Sequence, residues 1–427
     1  RTADIEQIKT QYQNDKDVQA GYSIELARRG FVVLATDGLG HGDSGGGFNF
    51  GMFFGNPPAA MGTGVGYEYL RSLPFVDANK MGATGHSMGG VTSFALAGLY
   101  GDIKAIVSQD GGTGTPENSN VLFLKPTMAE FTNSMEPLIP VNPEEFGISG
   151  SVDWETTYGD FADGSARKAA VIWGDHHLMS IAPQAVAEAV DWFGLALMDG
   201  TKDSHWIEPS NQIYLWKEIF GLFALLVTIA SIIPLTNILL ATTYFSSVAQ
   251  PMPNRYKPSK GRWWIFATVN ALIGGVLWLL FAYKGDVLQK LPFMKLLMGN
   301  GTALWYLLNA VVASILIFIW YRTSAKKAGV TTYDLGFSFD TEKTKFDWGI
   351  LGKTLLLGVI LFVWMYILSA ISQWALGEEF RFGWPFMRQF ATPQRVGLFL
   401  VYLIPALAFF LINGGVLLFG QARHAES

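Results

Sequence analysis

The residues with the most chemistry in this sequence are Gly85-His86-Ser87-Met88-Gly89, a serine flanked by glycines at two-residue spacing. An apolar run, 80–84, precedes them, and a stretch of small residues with helical character, 90–99, follows. A serine on a sharp turn between strand and helix presents its hydroxyl outward, and flanking glycines let the helix pack on the strand without a clashing Cβ. The helix start supplies partial positive charge and unbonded N–H groups, so the Met88 N–H is placed to receive a developing oxyanion. The chemistry this pattern serves is nucleophilic attack on an acyl carbonyl.

A serine hydroxyl needs a base to take its proton. The chain has six histidines, and His176 and His177 directly follow an apolar run, 169–173, that reads as a strand. His176 is the first candidate for the base and His177 the alternative. His86 lies inside the turn and His41 in a glycine-rich loop; both are candidates to line the site, and local turn structure is the plainer role for each. A carboxylate must orient the imidazole. Glu130, beyond the run 121–124, is the first candidate, and Asp110, after the run 103–108, is the alternative. Asp175 cannot easily fold back onto the ring of its neighbour. This chemistry needs neither metal nor organic cofactor. The absence of cysteine excludes a thiolate site, a disulfide framework and a cysteine nucleophile.

The elements that would hold these groups alternate. Residues 21–29 have helical spacing and end at Gly30. Residues 31–36 (FVVLAT) form a continuous β-branched run expected as a strand buried on both faces. A helix over 64–73, strands at 80–84, 103–108, 121–124 and 169–173, and a closing helix over 182–193 complete the series. Strands alternating with helices predict a mostly parallel sheet with helices on both faces.

The remainder of the chain is different in kind. Residues 1–217 hold 26 of the 35 carboxylates and 13 of the 30 Lys/Arg, a net −13; residues 218–427 hold 9 and 17, a net +8. Half of all residues are hydrophobic and 15% are charged, against about 25% in an ordinary soluble domain. Five apolar runs, at about 219–240, 264–283, 303–321, 350–374 and 396–419, approach or exceed the ~20 residues a helix needs to cross a bilayer. The expectation is therefore a catalytic domain over 1–205 and a transmembrane helical domain over 206–427, with no role in nucleic-acid binding. None of the spans carries Asp, Glu or His at its middle, which favours an anchor over a pump. Asn237, Asn270, Asn309 and Asn413 are expected to hydrogen-bond between helices, with a substrate path as the alternative. Ten bases in the loops after the first and third runs and at the C-terminal end, against eight on the other side, put the acidic half outside the cytoplasm.

With these residues in view, the sequence over about 18–197 resembles the α/β-hydrolase superfamily. The resemblance rests on Glu25–Arg29, the pattern Asp37-x-x-Gly40-His41-Gly42-x-Ser44, the Gly85–Gly89 turn and the late histidine loop, and on the order nucleophile, acid, base. The architecture is similar to that of bacterial membrane-bound serine hydrolases with a multi-helix domain after the catalytic one. That likeness implies a bacterial cell-membrane location, Ser87 as nucleophile and His176 as base. Where such families carry Asp for the acid, this chain has Ala129 followed by Glu130. The family also places strands, and a His-Gly loop with the second oxyanion donor, ahead of the helix before 31–36, so the sequence is expected to begin past that loop. The expected activity is cleavage of an ester or related acyl bond in a lipid-like substrate. Acyl transfer to another acceptor, and a non-enzymatic transport or scaffold protein with a ligand-binding hydrolase-like half, are the alternatives.

Overall fold

The structure is a computed structural model and describes residues 20–41, 44, 58–128, 143–202, 204, 206–249, 260–282, 284–331, 345–376 and 393–415. The chain divides into two compact units, one of Arg1–Leu226 with Ser369–Arg388 and one of Val227–Leu368 with Gln389–Ser427.

In the first unit, β1 (Gly82–His86), β2 (Ala105–Gln109), β3 (Val121–Met128) and β5 (Arg167–Asp175) pair in parallel in that spatial order. The two-residue β4 (Thr157–Tyr158) closes the far edge antiparallel to β5. Parallel neighbours need a crossover, and between β1 and β2 it is α3 (Met88–Leu99). β2 and the first half of β3 are buried on both sides because both faces of the sheet are covered there. Val107, Leu122, Leu124 and Ile172 face α1 (Ala20–Arg28) and α4 (Pro183–Leu197), packing with Tyr22, Leu26 and Phe193. Ile106, Val121, Phe123 and Ala169 face the opposite way, packing with Tyr67 of α2 (Thr63–Ser72) and Phe94 and Leu96 of α3. Residues two apart share a face, so the continuous apolar runs became interior strands. Pro126 is tolerated in β3 because β2 pairs only as far as Leu124, beyond which its missing N–H interrupts no ladder on that side.

One expected strand does not form. Residues 31–36 are irregular, and Val32 and Val33 are exposed. A strand exists by its ladder, and among the described residues this run has none: residues 30–38 and 80–89 both line one cavity instead of pairing. The apolar pattern signals burial; it cannot supply the neighbouring backbone.

The remaining elements are α5 (Tyr214–Leu240), α6 (Lys260–Phe281), α7 (Leu297–Trp320), α8 (Trp348–Leu376) and α9 (Pro393–Gly415). Four of them, α5, α7, α8 and α9, are long and apolar enough to cross a membrane, where the sequence suggested five. The second run does form a helix, but the apolar stretch described in it, Ala267–Phe281, is shorter than a bilayer requires. In the second unit α7 is central, with α6 and α9 packed on it. The Trp305 Nε1–H donates to Gly274 O of α6, and its ring packs on Phe409 of α9. The Trp364 Nε1–H of α8 donates to Ser231 Oγ of α5 at 2.9 Å.

Among the described residues, an amide that joins elements is Asn300, which was not among those expected. Asn309 and Asn413 donate to carbonyls one turn earlier in their own helices. Asn300, fully buried near the start of α7, donates to Gly285 O and Met294 O and accepts from Tyr402 Oη of α9. Its position near a helix end lets it reach loop carbonyls, whereas mid-helix amides find a carbonyl four residues back.

Candidate active site

Ser87 stands between β1 and α3 with φ 53° and ψ −113°, a backbone conformation that a non-glycine residue adopts only when its surroundings impose it. The surroundings are identifiable. The Ser87 N–H donates to Gln109 O of β2 at 2.9 Å, and the Ser87 carbonyl accepts from Gly90 N–H at 3.0 Å. A Cβ on Gly85 would overlap the backbone of Gly89, so the first glycine of the motif is required by close approach of strand and helix. Gly89 itself faces open space. Met88 is the first residue of α3, so its N–H has no carbonyl one turn earlier to bond.

Sequence reasoning missed Gly111. A Cβ there would overlap the Ser87 carbonyl, and the Ser108 hydroxyl donates to Gly111 O, so the turn after β2 is pressed against the serine turn. The signal was present as Gly111-Gly112 directly after Asp110, a pair of glycines with no local reason to be there.

That turn also presents Asp110, itself at φ 51°. Asp110 Oδ2 lies 2.6 Å from His176 Nδ1, and both side chains are buried. Donation from Nδ1–H to the carboxylate makes Nε2 the basic nitrogen of the ring. Lys125 Nζ lies 3.5 Å from Asp110 Oδ1 and offsets the buried charge from the other side. Lys125 was not singled out from the sequence, where it reads as one strand lysine among several. Glu130 lies outside the described residues.

His176 and His177 part company here. His176 is buried at the end of β5, while His177 begins a 3₁₀ turn (His177–Ser180) and is exposed. Asp175 caps that turn by accepting from Leu178 N–H, which occupies the carboxyl that stands next to the ring in sequence. His86 Nε2–H donates to His176 O at 2.7 Å, and the two rings lie 4.4 Å apart. Burial, with the neighbouring His176 adding to it, pushes His86 down to about 4, so it is a neutral donor near neutral pH. His41 Nδ1 points to Leu39 O at 3.1 Å in a loop closed by Ser44, whose hydroxyl donates to Asp37 O.

Ser87, Met88, His41, His86, His176 and His177 all line one cavity of about 1060 Å³. Apolar side chains such as Leu34, Met61, Leu70 and Phe75 line the same space. The cavity thus offers a hydroxyl, an oriented imidazole and a helix-start N–H beside apolar walls. Among the described residues no group of His, Asp and Glu is arranged to hold a metal ion.

A mostly parallel sheet with helices, and a turn of this kind at the end of one of its strands, are consistent with an α/β-hydrolase type of domain. Residues 65–170 match the family model described as "BAAT / Acyl-CoA thioester hydrolase C terminal". The match covers about a quarter of the chain and contains Ser87 and Asp110, ending before His176. The domain is accordingly similar to one found in hydrolases of acyl thioesters. No curated protein and no solved structure matches the chain.

Proposed function

We propose that this protein is a membrane-held serine hydrolase that cleaves acyl thioesters or esters through an acyl-enzyme on Ser87. The observation that carries the reading is the 2.6 Å contact of His176 Nδ1 with Asp110, in a cavity that Ser87 also lines. In the reaction, Ser87 Oγ bonds to the acyl carbon as its proton passes to His176 Nε2. The carbonyl oxygen takes the negative charge toward the Met88 N–H. The carbon–sulfur or carbon–oxygen bond then breaks, and the leaving thiol or alcohol receives the proton from His176. Water repeats the sequence, releasing the acid and restoring the serine hydroxyl. Asp110 keeps the ring in its tautomer and stabilises the imidazolium. The similarity over residues 65–170 favours a thioester or an ester as the bond broken. The four long apolar helices support a bilayer location, and the apolar cavity walls suit a lipid-like acyl chain.

The test is labelling of the detergent-solubilised full chain with a fluorophosphonate, which traps a nucleophilic serine. Wild type should label, and Ser87→Ala should lose both the label and the hydrolysis of acyl-CoA or nitrophenyl acyl esters, by at least about 10³-fold. Labelling undiminished in Ser87→Ala would exclude this mechanism.

A further inference from the structure

The histidine loop is held from outside by two tyrosines. Tyr22 of α1 donates its hydroxyl to Met179 O at 2.8 Å, and Tyr214, the first residue of α5, donates to Ile181 O at 2.5 Å. These carbonyls lie three and five residues beyond His176, in and just after the 3₁₀ turn. Both tyrosines are almost fully buried, and the Tyr214 ring rests where a Cβ on Gly21 would have to go. Neither hydroxyl is needed to fill the core, because phenylalanine would fill the same volume. What the hydroxyls add is direction: each fixes the height of one carbonyl in the turn that follows the imidazole.

The seat of Tyr214 is itself fixed. Buried Glu25 accepts the Ile213 and Tyr214 backbone N–H groups on Oε1 at 2.7 and 3.1 Å. Its Oε2 is held by Arg28 and Arg29 at 2.6 and 2.8 Å. A carboxylate thus caps the start of α5, the first helix long and apolar enough to cross a membrane. One chain of contacts runs from Glu25 through the first residue of α5 to the loop of His176.

We propose that Tyr22 and Tyr214 are positioning residues for the His176 imidazole, and that Glu25 makes that position depend on how the first turn of α5 is seated. The proposal rests on His176 being the base of the hydrolase described above. Its consequence is a base whose alignment is set partly from the membrane helix, through the turn that follows it.

The experiment compares Tyr214→Phe and Tyr22→Phe with wild type in full-length detergent-solubilised protein, measuring kcat, KM, the rate of fluorophosphonate labelling at Ser87 and the melting temperature. Trp192→Phe is the control. It removes another buried hydrogen bond, from Nε1–H to Asn120 O, which ends on no residue of the histidine loop. Each tyrosine variant should lower kcat and the labelling rate by about 3- to 10-fold with KM unchanged, the range expected for one hydrogen bond. Trp192→Phe should lower the melting temperature and leave kcat within twofold. Tyrosine variants that melt lower but keep wild-type kcat and labelling rate would overturn the positioning role and leave the hydrolase reading intact. A wild-type protein that does not label at Ser87 would overturn the hydrolase reading, and this proposal with it. If one tyrosine variant does not fold, the other decides.

Discussion

At the level of single residues, the division of labour among the candidate acids and bases follows from who can reach whom. Asp110 and Asp175 are both near His176, but only Asp110 faces its ring; Asp175 is occupied by the Leu178 amide. We therefore expect Asp110→Asn to lower kcat by roughly 10²- to 10⁴-fold, since an amide no longer enforces the Nδ1–H tautomer. Glu130→Gln, measured alongside by steady-state hydrolysis, should stay within about twofold of wild type. The reverse ranking would return the acid role to Glu130. The sequence singled out Ser87, His176, Met88 and both acid candidates as expectations, because the serine turn and the post-strand histidine are local patterns. It placed Glu130 before Asp110 because the contact that favours Asp110 is not local: Asp110 and His176 are 66 residues apart, and only the parallel pairing of β2, β3 and β5 brings their strand ends to the same edge.

Among elements, the contact from β1 to the histidine loop carries a pH signature. His86 is a neutral donor to His176 O with its pKa pushed down to about 4, from an unfolded value near 6.5. The unfolded chain binds a proton that the folded one refuses between those values. Stability from this residue is therefore complete above about pH 6.5 and is lost as pH falls toward 4, by roughly 3 kcal/mol at most. His86→Gln keeps an N–H donor and cannot titrate. Its melting temperature should fall less than that of wild type between pH 7 and pH 4.5; equal falls would show that His86 is not the group responsible. Glu25 acts in a separate window. Burial alone would raise its carboxyl, but the donors of Ile213, Arg29, Tyr214 and Arg28 outweigh it and hold the pKa below the usual range. Its contribution persists above the ordinary glutamate value and is lost only at lower pH. Element types were legible along most of this half, since α1, α2, α3 and α4 fall within a few residues of their helical patterns. Residues 31–36 were not, because a strand depends on a partner that its own side chains do not encode.

For the molecule as a whole, the contrast between an acidic half and a basic apolar half sets the expected behaviour in cells. Four helices of more than 20 residues carry apolar side chains on every side, which in water would be a large exposed apolar surface. We expect the protein to stay in the membrane pellet through an alkaline carbonate wash and to be released by detergent. Release by carbonate alone would reduce the assignment to a peripheral one. Polar contacts between the helices, such as Trp364 to Ser231, should then contribute only about 0.6–2 kcal/mol each.

Composition and local pattern by themselves determined that this chain joins an α/β layer to apolar helices, and that Ser87 sits on a turn between strand and helix. Both are properties of neighbouring residues, governed by side-chain periodicity and by what glycine permits. Which carboxylate meets His176, why Gly111 must lack a side chain, and how Tyr214 reaches the histidine loop depend on segments tens to hundreds of residues apart. Those were decided only when the strands paired in register and buried their faces, because hydrogen bonds and steric exclusion act over a few ångströms of space, whatever the distance along the chain.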